Sequence, residues 1–266
     1  MKVGVITGTG TYALPGLHVG SADSIATRFG ETVVVRGRIE GVEVLHVSRH
    51  GEGHRRLSNH VTHRSNISAL KQLGADCVLA VTVCGAVDPS VELGSLMVFD
   101  DLHFLANRLA DGSLCTLYDA PGDPSRGHWI YEAPFAEGPR RALLDACREA
   151  GVPARDGGCY GHVDGPRFNT RAEIRSLALA GVTAVSQTAG PEVVLCGEAE
   201  LPYALLGYAT DYANGVKPEP TPVEELLRLI GASAQVFERV LAAALSKLEG
   251  RELSPPGVIY RFEQRG

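Results

Sequence analysis

The sequence has no Cys-x-x-Cys spacing, no run approaching about 18 uninterrupted apolar residues, and no excess of positive charge. Its six cysteines, Cys77, Cys84, Cys115, Cys147, Cys159 and Cys196, are scattered in a chain large enough not to need disulfide staples. They read as small buried hydrophobes and mark no metal site. The amino-terminal MKVGVITGTGTY lacks a basic lead followed by a long apolar core, so no membrane association is expected and the expected location is the cytoplasm. A formal charge of −6 gives no field that would gather nucleic acid, and an anionic ligand has to be met by local groups. Internal repeats and low-complexity tracts are absent too, and the Pro/Gly-rich pieces at 120–139 and 214–222 are of loop length.

What is present suits a sizeable core: 266 residues, 44% of them hydrophobic, expected to form one domain over 1–266. Apolar, β-branched runs predict strands at Lys2–Thr7, Thr32–Arg36, Val42–Ser48, Cys77–Val83, Leu96–Asp100, Thr183–Ser186 and Ala204–Thr210. Several are apolar throughout, as central strands buried on both faces should be. Helices are expected near His60–Leu73, Pro139–Ala150, Thr170–Ala180, Pro191–Glu200 and Pro222–Leu248, the last with a long apolar face. Strand and helix alternate, which predicts a three-layer α/β architecture.

In such folds the chemistry collects where strands end. Thr7-Gly-Thr-Gly-Thr11 follows the first strand, either as an anion-binding turn or simply as a tight one. It has neither the Gly-x-Gly-x-x-Gly nor the Gly-x-x-x-x-Gly-Lys-Ser/Thr order. Ser48-Arg-His-Gly51 sets Arg49, suited to a bidentate grip on phosphate, beside His50; the alternative is a solvated basic loop with His54, Arg55 and Arg56. Thr82-Val-Cys-Gly85 would line a pocket or only turn a buried strand. Thr210-Asp211-Tyr212 carries an acid to a strand end, where burial would raise its pKa, or where it would cap a turn. Finally, residues 158–173, GCYGHVDGPRFNTRAE, contain a Gly-Pro-Arg-Phe turn opening a helix.

In their shared order these segments, with Asn66–Gly74 and Thr188 followed by Pro191–Leu195, resemble the trimeric purine nucleoside phosphorylase family, most closely its methylthioadenosine phosphorylase branch. The resemblance runs from about residue 3 to residue 213. It implies a doubly wound, single-domain α/β/α fold around a mixed sheet partly closed into a barrel, and a homotrimer with each active site near a subunit boundary. It also implies a reaction in which inorganic phosphate, as co-substrate, attacks the anomeric carbon of a purine nucleoside. Free base and pentose 1-phosphate result, with no metal or organic cofactor.

On that resemblance Thr9, Arg49, His50, Thr82 and Thr188 would hold phosphate, and Asp211 would share a proton with the imidazole-ring nitrogen of the leaving base. Phe168 would lie against the base, with Val83, Cys84, Gly85, Asn169, Ser186, Gln187, Ala213 and Asn214 completing the nucleoside site. His128 would be lent by the neighbouring subunit to the 5′ pocket, although its flanks differ from the family pattern.

Four positions bear on the substrate. Asn169 stands where 6-oxopurine enzymes commonly carry glutamate, and Asp211 where they carry asparagine, which favours a 6-aminopurine such as S-methyl-5′-thioadenosine. Against this, Ala213 replaces the second aspartate of the branch's Thr-Asp-Tyr-Asp, leaving Asn214 as a substitute ligand or a turn residue. Gln187 replaces a methionine beneath the sugar, and would either bond a hydroxyl or point away. A 6-oxopurine or methylthioinosine phosphorylase is the nearest alternative, and a catalytically weak nucleoside-binding protein the alternative of another class.

Overall fold

Successive side chains of a strand face opposite ways, and here both faces find a core. Val3 and Val5, Leu79 and Val81, and Ala204 and Leu206 enter one apolar cluster, while Ile6, Val78, Ala80 and Leu205 enter another. The computed structural model describes residues 1–14 and 16–262; Pro15 and residues 263–266, within the expected span 1–266, lie outside the described residues. The chain begins with β1 (Lys2–Thr7), β2 (His18–Thr27), β3 (Gly30–Ile39), β4 (Val42–Ser48), α1 (His63–Gln72) and β5 (Cys77–Ala86). Then come β6 (Leu96–Val98), β7 (Asp101–His103), β8 (His128–Ile130), α2 (Glu137–Glu149), β9 (Ala154–Asp156) and β10 (Cys159–His162). The last elements are α3 (Arg171–Leu179), β11 (Val182–Ser186), α4 (Ala189–Glu198), β12 (Tyr203–Tyr212), α5 (Val223–Lys247) and β13 (Val258–Tyr260).

β4, β1, β5 and β12 lie side by side and parallel, so their carboxyl ends share one edge. β3 and β2 extend the β4 side antiparallel, and β6 with β9 extends β12. At its far end β5 also pairs with β11, which runs against it and carries β10 and β7. The mixed sheet thus forks at β5. Helices α1 and α4 pack on one side and α2 and α5 on the other, giving the expected α/β/α layering. By length and composition α5 could span a bilayer, yet Leu229, Phe237, Val240, Leu241 and Leu245 bury one face of it against the sheet and α2.

The expected strands and helices all appear, with shifted ends. Residues 58–60 form a short 3-10 turn ahead of α1, and the run at Leu96–Asp100 breaks at Val98 so that Asp101 opens a new strand. α4 starts at Ala189, which places Pro191 in the first turn, where a missing N–H is tolerated. Thr170 caps α3 through a capping box with Glu173, so the Gly-Pro-Arg-Phe turn does open a helix. β2 gave no apolar signal because HVGSADSIAT lies largely open to solvent and is held by its ladder to β3. Cys77, Cys84, Cys115, Cys147 and Cys196 are buried and Cys159 half-buried, all as free thiols.

Candidate active site

A cavity of about 250 Å³ opens where β11 and β12 part from β5. Its walls come from the turn after β1 (Thr9), the loop after β4 (Arg49, His50), β5 itself (Thr82–Gly85) and the loop before α3 (Phe168, Asn169). The ends of β11 and β12 complete them with Ser186, Gln187, Thr188, Asp211 and Ala213. Such a fork in strand direction is where ligands settle in open α/β sheets.

The five residues expected to hold phosphate all reach this cavity, but Arg49 does so differently than expected. Its fork is closed on Glu192: Nε donates to Oε1 at 2.7 Å and Nη2 to Oε2 at 2.8 Å, while Nη1 donates to the Val81 carbonyl at 2.7 Å. Both partners are 1% exposed. Burial opposes both charges, but the pair sustains them, raising the Arg49 pKa and lowering that of Glu192. Three of the five guanidinium N–H groups are spent, and one on each Nη is left for the cavity. Glu192 thus takes the Nε–Nη2 side of the fork, and only the remaining Nη N–H groups are left for an anion. Gly8 makes room for this packing, since a Cβ there would come within 2.5 Å of Arg49 Nη1.

His50 donates from Nδ1 to the Arg56 carbonyl at 2.8 Å, which leaves Nε2 unprotonated in the neutral ring. Burial first, then the Arg49 charge, lowers its pKa to about 4, so it is an acceptor at neutral pH. The ring stacks on His54 at 4.2 Å, and His54 is held by the Tyr12 hydroxyl at 3.0 Å. Thr188 is the N-cap of α4 but spends no side-chain bond on its own helix, which frees its hydroxyl. Thr82 Oγ1 lies 3.2 Å from Ser186 Oγ, a pairing across the β5–β11 fork.

Asp211 owes its aim to a β-bulge. Against β5, Ala209 pairs with Cys84 and Asp211 with Gly85, so Thr210 is the extra residue that turns the strand end. Thr210 Oγ1 donates to Asp211 Oδ1 at 2.9 Å, leaving Oδ2 beside Gly85. Asp211 is 9% exposed, and burial raises its pKa despite the Thr210 bond. The expectation that burial at the strand end would raise its pKa fits this arrangement.

Two of the sequence-marked residues lie outside the wall. Asn214 gives its Nδ2 to the Asn169 carbonyl at 2.7 Å, a tie between the two loops. His128 sits on β8, paired with β13 and edge-on to Phe262, away from this cavity. Gln187 reaches the wall with its amide committed, accepting from Ser58 and donating to the Arg167 carbonyl. Glu192 is the partner that sequence reasoning missed. Its signal was an acid leading directly into the apolar Val193–Cys196 of α4, because a carboxylate in such a place has to find a cation. Among the described residues no three His, Cys, Asp or Glu side chains gather as a metal-holding group.

A profile of the Phosphorylase superfamily matches residues 2–246. A Thermococcus kodakarensis protein named as a probable 6-oxopurine nucleoside phosphorylase is 30% identical over 259 residues, 96% of this chain and 95% of that one. The S-methyl-5′-thioadenosine phosphorylase of Drosophila melanogaster is 29% identical over 259 residues, 96% of this chain and 88% of its own. The solved methylthioadenosine phosphorylase of Schistosoma mansoni in complex with adenine has a TM-score of 0.84 at 26% identity, covering 95% of this chain and 93% of that one. Because the matched span runs from the start of β1 through Asp211 into α5, every strand end that lines the cavity falls inside it, and the chain belongs to the phosphorylase superfamily.

Proposed function

We propose that the protein is a purine nucleoside phosphorylase acting on S-methyl-5′-thioadenosine or a related 5′-deoxy adenine nucleoside, with inorganic phosphate as co-substrate and no metal or organic cofactor. One observation carries this reading: a single cavity is lined both by the Thr9 and Thr188 hydroxyls with the acceptor His50, a set that suits phosphate, and by Asp211, an acid whose pKa burial raises. The similar proteins named as phosphorylases support it.

In the proposed reaction a phosphate oxygen forms a bond to the anomeric carbon as the glycosidic C–N bond breaks, and the bonding electrons leave with the purine. Asp211 Oδ2 gives its proton to the imidazole-ring nitrogen of the base, which departs neutral. The hydroxyls of Thr9 and Thr188 and the remaining Arg49 N–H groups donate to phosphate oxygens, and His50 Nε2 accepts from the protonated phosphate oxygen. Holding the nucleophile under the sugar contributes about 7–11 kcal/mol of the barrier reduction in well-oriented cases. The phosphate charge also stabilises positive charge developing on the sugar.

A second reading, a 6-oxopurine substrate, is favoured by Ala213. Its buried methyl offers no acceptor for a 6-amino group, and Asn214 lies outside the cavity wall, tied by its Nδ2 to the Asn169 carbonyl. A homotrimer belongs to the proposal as well, with His128 on the exposed β8–β13 ribbon supplied to a neighbour's 5′ pocket. The test is a panel of methylthioadenosine, adenosine, methylthioinosine, inosine and guanosine, with and without phosphate, followed by released base. Faster cleavage of the hypoxanthine and guanine nucleosides selects the second reading. Release independent of phosphate would replace phosphorolysis by hydrolysis, and binding without release would make the protein a nucleoside-binding one. Sedimentation as a monomer would remove the trimer.

A further inference from the structure

Phe168 is 60% exposed, so packing does not hold its ring in place. Its backbone is held instead. The Arg167 carbonyl accepts from Gln187 Nε2 at 2.9 Å, the Phe168 carbonyl from Arg167 Nη1 at 3.2 Å, and the Asn169 carbonyl from Asn214 Nδ2 at 2.7 Å. The two outer ties come from different walls: Gln187 follows β11, while Asn214 follows β12. Gln187 is braced in turn, because its Oε1 accepts from Ser58 Oγ at 3.0 Å. Gly165 is what lets the loop come this close, since any Cβ there would collide with Gln187 Oε1 and Ser58 Oγ.

We propose that Gln187 and Asn214 are positioning residues which clamp the backbone on either side of Phe168, so that its ring is already presented to the purine before substrate arrives. This rests on the reading of the cavity as a purine nucleoside site, and it assigns the two amides a task other than touching substrate. An aromatic ring on an unclamped loop would have to be ordered during binding, at the expense of affinity. The clamp acts on the base rather than on the sugar or phosphate.

The experiment compares Gln187→Leu, Asn214→Ala and Phe168→Ala, alone and combined, by steady-state kinetics and by calorimetric titration with the free bases adenine and hypoxanthine. Loss of one net hydrogen bond corresponds to about a five- to tenfold effect, so each amide variant should raise both the nucleoside KM and the free-base Kd by about that factor. The phosphate KM should stay within about twofold. In the Phe168→Ala background neither amide substitution should weaken base binding further, which a general loss of structure would not reproduce. A nucleoside effect with unchanged free-base affinity would instead put Gln187 on the sugar and overturn the proposal. So would a full effect persisting in the Phe168→Ala background. Should Gln187→Leu fail to fold, the exposed Asn214→Ala carries the same test. Free-base titration needs no turnover, so a protein that binds purine but never releases it from nucleoside would overturn the phosphorylase reading and leave the clamp to be judged on its own.

Discussion

Replacing Glu192 by glutamine removes one charge from a pair that is 1% exposed on both sides and leaves the side-chain shape almost intact. Oε2 accepts from both Arg49 Nη2 and the Tyr203 hydroxyl, each at 2.8 Å, and Oε1 accepts from Arg49 Nε. An amide NH2 placed at either oxygen position therefore faces a donor. Breaking a buried ion pair from one side costs about 3–5 kcal/mol, because the remaining charge is uncompensated. Arg49 borders the cavity but is only 1% exposed, so the lower end, about 3 kcal/mol, is the least loss expected. At about 2–4 °C per kcal/mol for chains somewhat smaller than this one, the melting temperature should fall by about 6–12 °C. Differential scanning calorimetry in phosphate-free buffer measures this directly. Added phosphate should raise the melting temperature of Glu192→Gln more than that of the unaltered protein, since the freed guanidinium binds the anion in the folded state alone. The double variant Arg49→Met, Glu192→Leu should melt above either single charge-removing variant. A Glu192→Gln protein that melts within about 2 °C of the unaltered one would refute the reasoning.

Asp211→Asn should lower kcat by about 10²-fold or more with little change in the phosphate KM, and equal kinetics in both proteins would remove Asp211 as the acid. Burial raises the folded-state pKa of Asp211, so the folded protein binds the extra proton and stability falls as pH rises from the ordinary carboxylate range through that raised value. In Asp211→Asn this slope should be missing from denaturant midpoints measured across the acidic range. His46, His50 and His63 are held by burial at pKa values of about 4, and His162 at about 3. For these four the unfolded chain takes up protons first, so stability should drop as pH falls from about 6.5 towards 4. Urea midpoints that stay level between pH 7 and pH 5 would contradict that. Gly8→Ala should displace Arg49 and raise the phosphate KM more than the nucleoside KM, as read from paired saturation curves.

The layers, the long helices and the central strands were legible because their signal is local. Val3, Val5 and Ile6 alternate between two cores, and no distant residue has to be known to see that they are buried. The strand-end residues were legible for a related reason: Thr9, Arg49, Thr82 and Asp211 follow apolar runs, and parallel strands bring such ends to one edge. How each polar side chain spends its hydrogen bonds was not legible. Arg49 and Glu192 are 143 positions apart, and either could have faced solvent or ligand until the packing of α4 joined them. The bulge at Thr210 depends on the pairing partner, and the commitment of Asn214 to the Asn169 carbonyl depends on a loop 45 positions away. β2 escaped because its ladder to β3, and not its composition, makes it a strand.

The cavity offers phosphate no unpaired cation before any ligand arrives. Arg49 is matched by Glu192, His50 is neutral, and burial raises the Asp211 pKa. A phosphate dianion held there by hydroxyls and residual N–H groups would not have its charge neutralised by a free cation. Two unit charges about 4 Å apart interact by about 4 kcal/mol at an effective dielectric near 20, so what the dianion faces matters to the barrier. On the proposed reaction it faces a sugar that becomes positive as the bond to the base breaks. Unpaired, Arg49 would bind phosphate more tightly in the ground state and lessen the attraction that grows in the transition state. Glu192 shifts the balance the other way, weakening the hold on phosphate while preserving the field that acts on the sugar, and only the second of these effects accelerates the chemical step.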